Sequence, residues 1–68
     1  MNKHQFINLA NLARLKPEGK ARNGAFLCLV LGKTQVEAAT MLECQQSTIS
    51  AAIQRIKRAQ RLAIHAIT

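Results

Sequence analysis

Sixty-eight residues hold one domain at most and leave little room for a deep pocket, which puts an enzyme with a buried active site at a disadvantage. Ten Lys and Arg stand against three acids, Glu18, Glu37 and Glu43, giving a net charge of +7, and no acid follows Glu43. Such a balance is the electrostatic footprint of a nucleic-acid binder, while two aromatics (Phe6 and Phe26) without Trp or Tyr argue against stacking of unpaired bases.

Apolar residues recur at three- and four-residue steps, with no strand-like alternation and no internal repeat. This predicts an all-α fold, a single small domain of four to five helices over 1–68. The first helix is expected over 3–15, with Phe6, Leu9, Ala10 and Ala13 as its stripe and Leu12 on the margin. "KPEG" ends it, because the residue before a proline is pushed out of helical geometry. Pro17 suits the opening position of the next helix equally well.

The second helix is expected over 20–31, and 25–31 are apolar almost all round, which marks a central core helix. Gly32 follows as its left-handed cap. Gly24 either weakens this helix or lets another backbone pack close. The third begins with Thr34 and Glu37, the Thr-x-x-Glu capping box, ahead of an apolar run of Val36, Ala38, Ala39, Met41 and Leu42. "ECQQS" interrupts it after about two turns. A fourth starts at Gln46 or Ser47 with Ile49, Ala52, Ile53 and Ile56 on one face. Its stripe continues through Ala59, Ala63 and Ile67, so the helix runs past the core or breaks near Gln60.

A short helix, a turn of about four residues and a second helix of about three turns is the helix-turn-helix arrangement, here spanning about 34–57. Gln35 opens the unit, Ala39 is the small residue at the helix crossing, and Leu42 closes the first helix. Cys44 fills the hydrophobic turn position, and Ile49, Ala52 and Ile53 line the inner face of the second helix. Glu43 departs from the pattern, since many such units place Gly there.

The segment "LVLGKTQVEAATMLECQQSTISAAIQRI", residues 29–56, resembles the DNA-binding segment of the TrfB/KorA-type plasmid repressors. Their pattern has a Leu-Val turn, Gly, a Gln-containing first helix with paired alanines, then Ile-Ser and Ala-Ile before Arg. "HQFINLANLARLKPEGKAR" is similar to their N-terminal helix, so the resemblance covers about 3–58. It implies a plasmid-encoded bacterial transcriptional repressor that acts as a dimer at palindromic operators in promoters. Larger members carry a separate dimerisation domain, which is not among these 68 residues.

In a helix-turn-helix unit the second helix enters the major groove with its N-terminal residues against base edges. Gln45, Gln46, Ser47, Ser50, Ala51 and Gln54 face outward there. Gln pairs bidentately with adenine, Ser donates or accepts, and Ala meets a thymine methyl. Ordinary polar turn residues at Gln45 and Gln46, and a plain N-cap at Ser47, are the simpler alternatives. Lys33, Arg55, Lys57, Arg58 and Arg61 are the expected phosphate anchors, with Arg22 a weaker one. Thr34 and Gln35 sit where a helix N-terminus favours a phosphate. One recognition helix reads few base pairs, so a homodimer is expected, with 58–68 as the pairing extension and Leu62, Ala63, Ile64 and Ile67 as its contacts. The N-terminal helix is the alternative surface.

Cys28 and Cys44 read as small core hydrophobes of a reducing cytoplasm. No Cys–His spacing suggests zinc, and no nucleophile has a base beside it, so no metal, cofactor, small-molecule substrate or enzymatic activity is expected. The longest apolar run, "AFLCLVLG", is too short to cross a bilayer. The expected partner is therefore a double-stranded DNA operator. Two competing readings are a sequence-indifferent architectural coat on DNA, and a basic amphipathic module for a membrane surface or an acidic protein.

Overall fold

The computed structural model describes the backbone of residues 1–16 and 19–67, with side chains up to Ala63. All regular structure among the described residues is helical: α1 (Lys3–Leu12), α2 (Lys20–Leu29), α3 (Gln35–Leu42) and α4 (Gln46–Ile67). The 22 residues of α4 form one unbroken helix, about 33 Å long at 1.5 Å per residue, and it sets the long dimension of a 39 × 19 × 17 Å body. Of the two alternatives for its course, the unbroken one holds.

The core is built on α4. Ile49, Ala52, Ile53 and Ile56 recur at helical spacing and are all buried, against Phe6, Leu9 and Ala10 of α1, Ala25 of α2, and Ala38 and Ala39 of α3. Phe6 and Phe26 meet edge to face at 5.3 Å between ring centroids and join α1 to α2. Gly24 explains the approach of α2 to α4. A Cβ there would fall 2.5 Å from Cγ1 and 2.7 Å from Cδ1 of Ile49, so the missing side chain makes space for a side chain of α4 rather than for a backbone.

Two capping boxes fix helix starts. Thr34 Oγ1 accepts the Glu37 N–H at 3.1 Å while the Glu37 carboxylate accepts the Thr34 N–H at 3.2 Å. Asn2 and Gln5 repeat the arrangement at the start of α1, at 2.8 and 3.2 Å. Hydrogen bonding by Thr34, first from its backbone N–H and then from its side chain, holds the Glu37 carboxyl below the usual range. A depressed carboxyl stabilises the fold above its unfolded pKa and loses that contribution as pH falls through the folded one.

Helices α1 and α3 end alike. Arg14 (φ 58°) and Glu43 (φ 53°) are both left-handed. The N–H of the following residue reaches back five positions in each case, Leu15 to Ala10 at 3.1 Å and Cys44 to Ala39 at 3.0 Å. This is the Schellman closure, made without glycine. Its purpose is visible in the periodicity. Continuing α1 would stack Leu15 over Asn8, Asn11 and Leu12, all exposed, whereas the reversal buries it. Continuing α3 would stack Cys44 over Glu37, Thr40 and Met41, again exposed; the turn packs it against the core.

Glu43→Gly should therefore stabilise. A left-handed non-glycine residue costs about 1 kcal/mol, and a carboxylate at a helix C-terminus opposes the dipole. Thermal denaturation should show a rise of about 3–6 °C. A fall would mean that the Glu43 side chain supports the turn by more than its backbone strains it.

Several expectations need correction. Helix α1 stops at Leu12 rather than Leu15, and the left-handed Arg14, not proline, ends it. Gly19 is the N-cap of α2, and the expected role of Pro17 lies outside the described residues, as does Glu18. Helix α2 ends at Leu29; only Gly24 and Ala25 are buried in it, so α4 and not α2 is the central helix. Gly32 is left-handed (φ 75°) as expected, but the C-cap of α2 is Val30 in right-handed geometry, and Gly32 stands two residues beyond it. Leu12, Leu31, Val36 and Met41 are all more than half exposed, because so small a body lacks the interior to take them.

Candidate nucleic-acid interface

Helix α4 begins at Gln46, so Gln45 precedes it as the N-cap residue and its carbonyl accepts the Thr48 N–H at 3.1 Å. Ser47 is thus the second helical residue rather than the cap, and its hydroxyl lies 3.5 Å from Gln45 Oε1. At about 100° per residue, Ser47, Ala51, Gln54, Arg58 and Arg61 fall opposite Ile49, Ile53 and Ile56. All five are exposed, as are Gln45 and Gln46 at the helix start, while Ser50 is half-buried on the flank. The outward face is neutral and hydrogen-bonding through its first half and cationic beyond it. Lys57, Arg58 and Arg61 surround a shallow concavity of about 320 Å³ together with Gln54.

The anchors expected elsewhere occupy different settings. Lys33 is exposed just before α3. The N–H and hydroxyl of Thr34 are engaged in the capping box, so an anion at the start of α3 would meet the N–H groups of Gln35 and Val36 beside the Glu37 charge. Arg55 donates from Nη2 to the Ala13 carbonyl and closes the end of α1. Arg22 donates from Nη1 to Asn11 Oδ1 at 3.0 Å and to the Leu15 carbonyl at 3.5 Å, holding α1 against α2.

Comparison with protein-family models, curated proteins and solved structures finds no match to this chain.

Sequence reasoning passed over three cations that the fold brings to α4. Arg14, Lys16 and Lys20 line a second concavity, of about 360 Å³, with Arg22, Thr48 and Arg55. The Lys20 ammonium lies 3.3 Å from the Glu43 carbonyl, at the turn just before α4. The only signal in the chain was the density of basic residues between 14 and 22, and nothing local says that they meet residues 48 and 55.

At the far end, Leu62 is 64% exposed and Ala63 half-buried. Together with Ala59 and the equally exposed Leu12 they surround an apolar groove of about 290 Å³. Leu12 thus brings α1 to the same surface as α4, where the two helices were expected to offer separate ones. Ile64 and Ile67 belong to α4, but their side chains lie outside the described residues.

Cys28 and Cys44 are both free and half-buried, and burial, then the Glu37 charge, pushes the Cys28 thiol up, away from the reactive thiolate. Among the described residues no three His, Cys, Asp or Glu side chains gather as metal ligands, and no helix is long and apolar enough to cross a membrane.

Proposed function

We propose that this chain is a sequence-specific double-stranded DNA-binding repressor in which α3, the Glu43–Gln45 turn and α4 act as a helix-turn-helix. The single observation that carries the reading is the polarity of α4. Its exposed first half presents Gln46, Ser47, Ala51 and Gln54 without charge, although the chain carries +7, and its cations begin at Arg55. A helix that only coated phosphates would gain from Lys or Arg at those positions. Neutral amide and hydroxyl groups are instead what base edges in the major groove require. Absence of positive charge in 40–50 is thus a division of labour, with readers at the helix start and anchors on its flanks and far end.

One such helix contacts only a few base pairs, so the protein works as a homodimer on two half-sites about one helical turn apart. The groove between Leu12, Ala59, Leu62 and Ala63 is the surface for the second copy. Two bodies of net charge +7 repel each other, so pairing is strongest on DNA, where phosphates neutralise both.

Selection of bound duplexes from a random pool tests the reading. Inverted half-sites should emerge, and Gln46→Ala should relax one base position at a cost of about 1–3 kcal/mol. Recovered sequences without any shared site would replace this reading by indifferent coating of DNA, and single, unpaired sites would remove the dimer.

A further inference from the structure

The cleft between the α1–α2 link and α4 is a second place where charge gathers, and it lies off the reading face. Resting on the DNA-binding reading above, we infer that this cleft holds a backbone phosphate of the same duplex, gripping the wall of the groove beside α4. Arg14, Lys16, Lys20, Arg22 and Arg55 surround it with the Thr48 hydroxyl, and no acid lines it among the described residues. Gathering five like charges in one shallow depression opposes folding, and a polyanion relieves that repulsion.

Three of the five are aimed by the fold. Lys20 is held by the Glu43 carbonyl, Arg22 by Asn11 and the Leu15 carbonyl, and Arg55 by the Ala13 carbonyl. Each contact uses part of the donor set, since an ammonium has three N–H groups and a guanidinium five. The remaining donors stay available at fixed positions, which lowers the ordering cost of catching an anion. Apart from the Asn11 side chain, these acceptors are backbone carbonyls at the ends of α1 and α3 or in the turn after α1, so the two left-handed turns both shape the core and orient the cations.

The placement suits a duplex. Thr48 and Arg55 lie roughly a quarter turn around α4 from Ser47 and Gln54. A helix of about 10–12 Å diameter fills a major groove about 12 Å wide, so side chains on its flanks meet the sugar-phosphate walls. The α1–α2 link thereby carries the contact beyond the helix-turn-helix itself.

The test is the double variant Arg14→Gly, Lys16→Gln. Glycine suits the left-handed position of Arg14, so the fold is retained, and Lys16→Gln alone serves as the second variant. Binding to a labelled mixed-sequence duplex is measured over a range of KCl concentrations. The double variant should bind about tenfold more weakly, with a log–log salt slope shallower by about 1–2 units and the selected base preferences unchanged. In the wild type, the backbone amide resonances of Lys16, Gly19 and Lys20 should move when duplex is added. An unchanged slope with unmoved amides, in a wild type that does bind duplex, overturns the cleft and leaves the DNA-binding reading intact. A wild type that binds no duplex removes both. Movement of the same amides by inorganic phosphate, in that last case, would identify a site for a small anion instead.

Discussion

Gly24→Ala should destabilise the protein even though alanine is the better helix former. The exchange gains about 1 kcal/mol of helix propensity. Against that, the new methyl would sit 2.5 Å from Cγ1 of Ile49, a side chain with no exposed surface. Ile49 cannot step aside cheaply, because a β-branched residue in a helix has one strongly preferred χ1 and its neighbours here are close-packed. Overpacking of this kind costs about 1–3 kcal/mol, so the net effect is a loss of up to about 2 kcal/mol. Ile49→Ala removes the obstruction and costs about 2–5 kcal/mol through the lost burial and the cavity. The double variant is the informative one. With Ile49 truncated, the methyl at position 24 enters the space that Cγ1 vacated, so the two losses should add to less than their sum by at least about 1 kcal/mol. Chemical denaturation of the four proteins measures this coupling. Strict additivity would show that α2 and α4 do not meet through this pair.

That contact also shows where a linear reading stops. The spacing of Ile49, Ala52, Ile53 and Ile56 announced the buried face of α4, because only one side of a helix can turn inward. Thr34 and Glu37 announced the start of α3, since capping is a local bond between residues three apart. Asn2 and Gln5 carry the same kind of signal in amide form, and it was legible but passed over. The end of α3 at Leu42 was legible as well, since Glu43 stands where the helix-turn-helix pattern puts glycine, but the end of α1 was not. Schellman turns are ordinarily marked by glycine, and Arg14 and Glu43 give no such mark. Their conformation follows from a tertiary demand, the burial of Leu15 and the packing of Cys44, which no neighbouring residue encodes. Residue type misled in the opposite direction at Leu12, Val36 and Met41, where apolar side chains remain outside.

The candidate site divides in the same way. Ser47, Ala51 and Gln54 could be placed on one face from spacing alone, and the helix carries them there, while Gln46 is exposed at the helix start to one side of that face. Arg22 and Arg55 could be recognised as cations but not as residues that fasten backbone carbonyls of α1 and its following turn. Leu12 could not be connected with Leu62, which lies fifty positions along the chain, before both were seen at one groove.

Removing the charge from the second half of α4 should produce the largest functional effect. Lys57→Gln, Arg58→Gln and Arg61→Gln together keep side-chain length and polarity while deleting three positive charges from an exposed surface. Such substitutions change stability by no more than about 0.5 kcal/mol each. If each cation neutralises one phosphate, the log–log salt slope should become shallower by about 2–3 units. Affinity for any duplex should then fall on the order of a hundredfold to a thousandfold at low salt. The ratio between a selected duplex and a mixed-sequence one should hardly move, because phosphates carry no sequence information. Gln46→Ala should do the reverse, leaving the slope intact and lowering that ratio. The two results together test whether grip and reading reside on separate stretches of one helix. A triple variant that lost its base preference along with its affinity would show that Arg58 or its neighbours reach the bases, and the boundary between reader and anchor would then move toward the C-terminal end of α4.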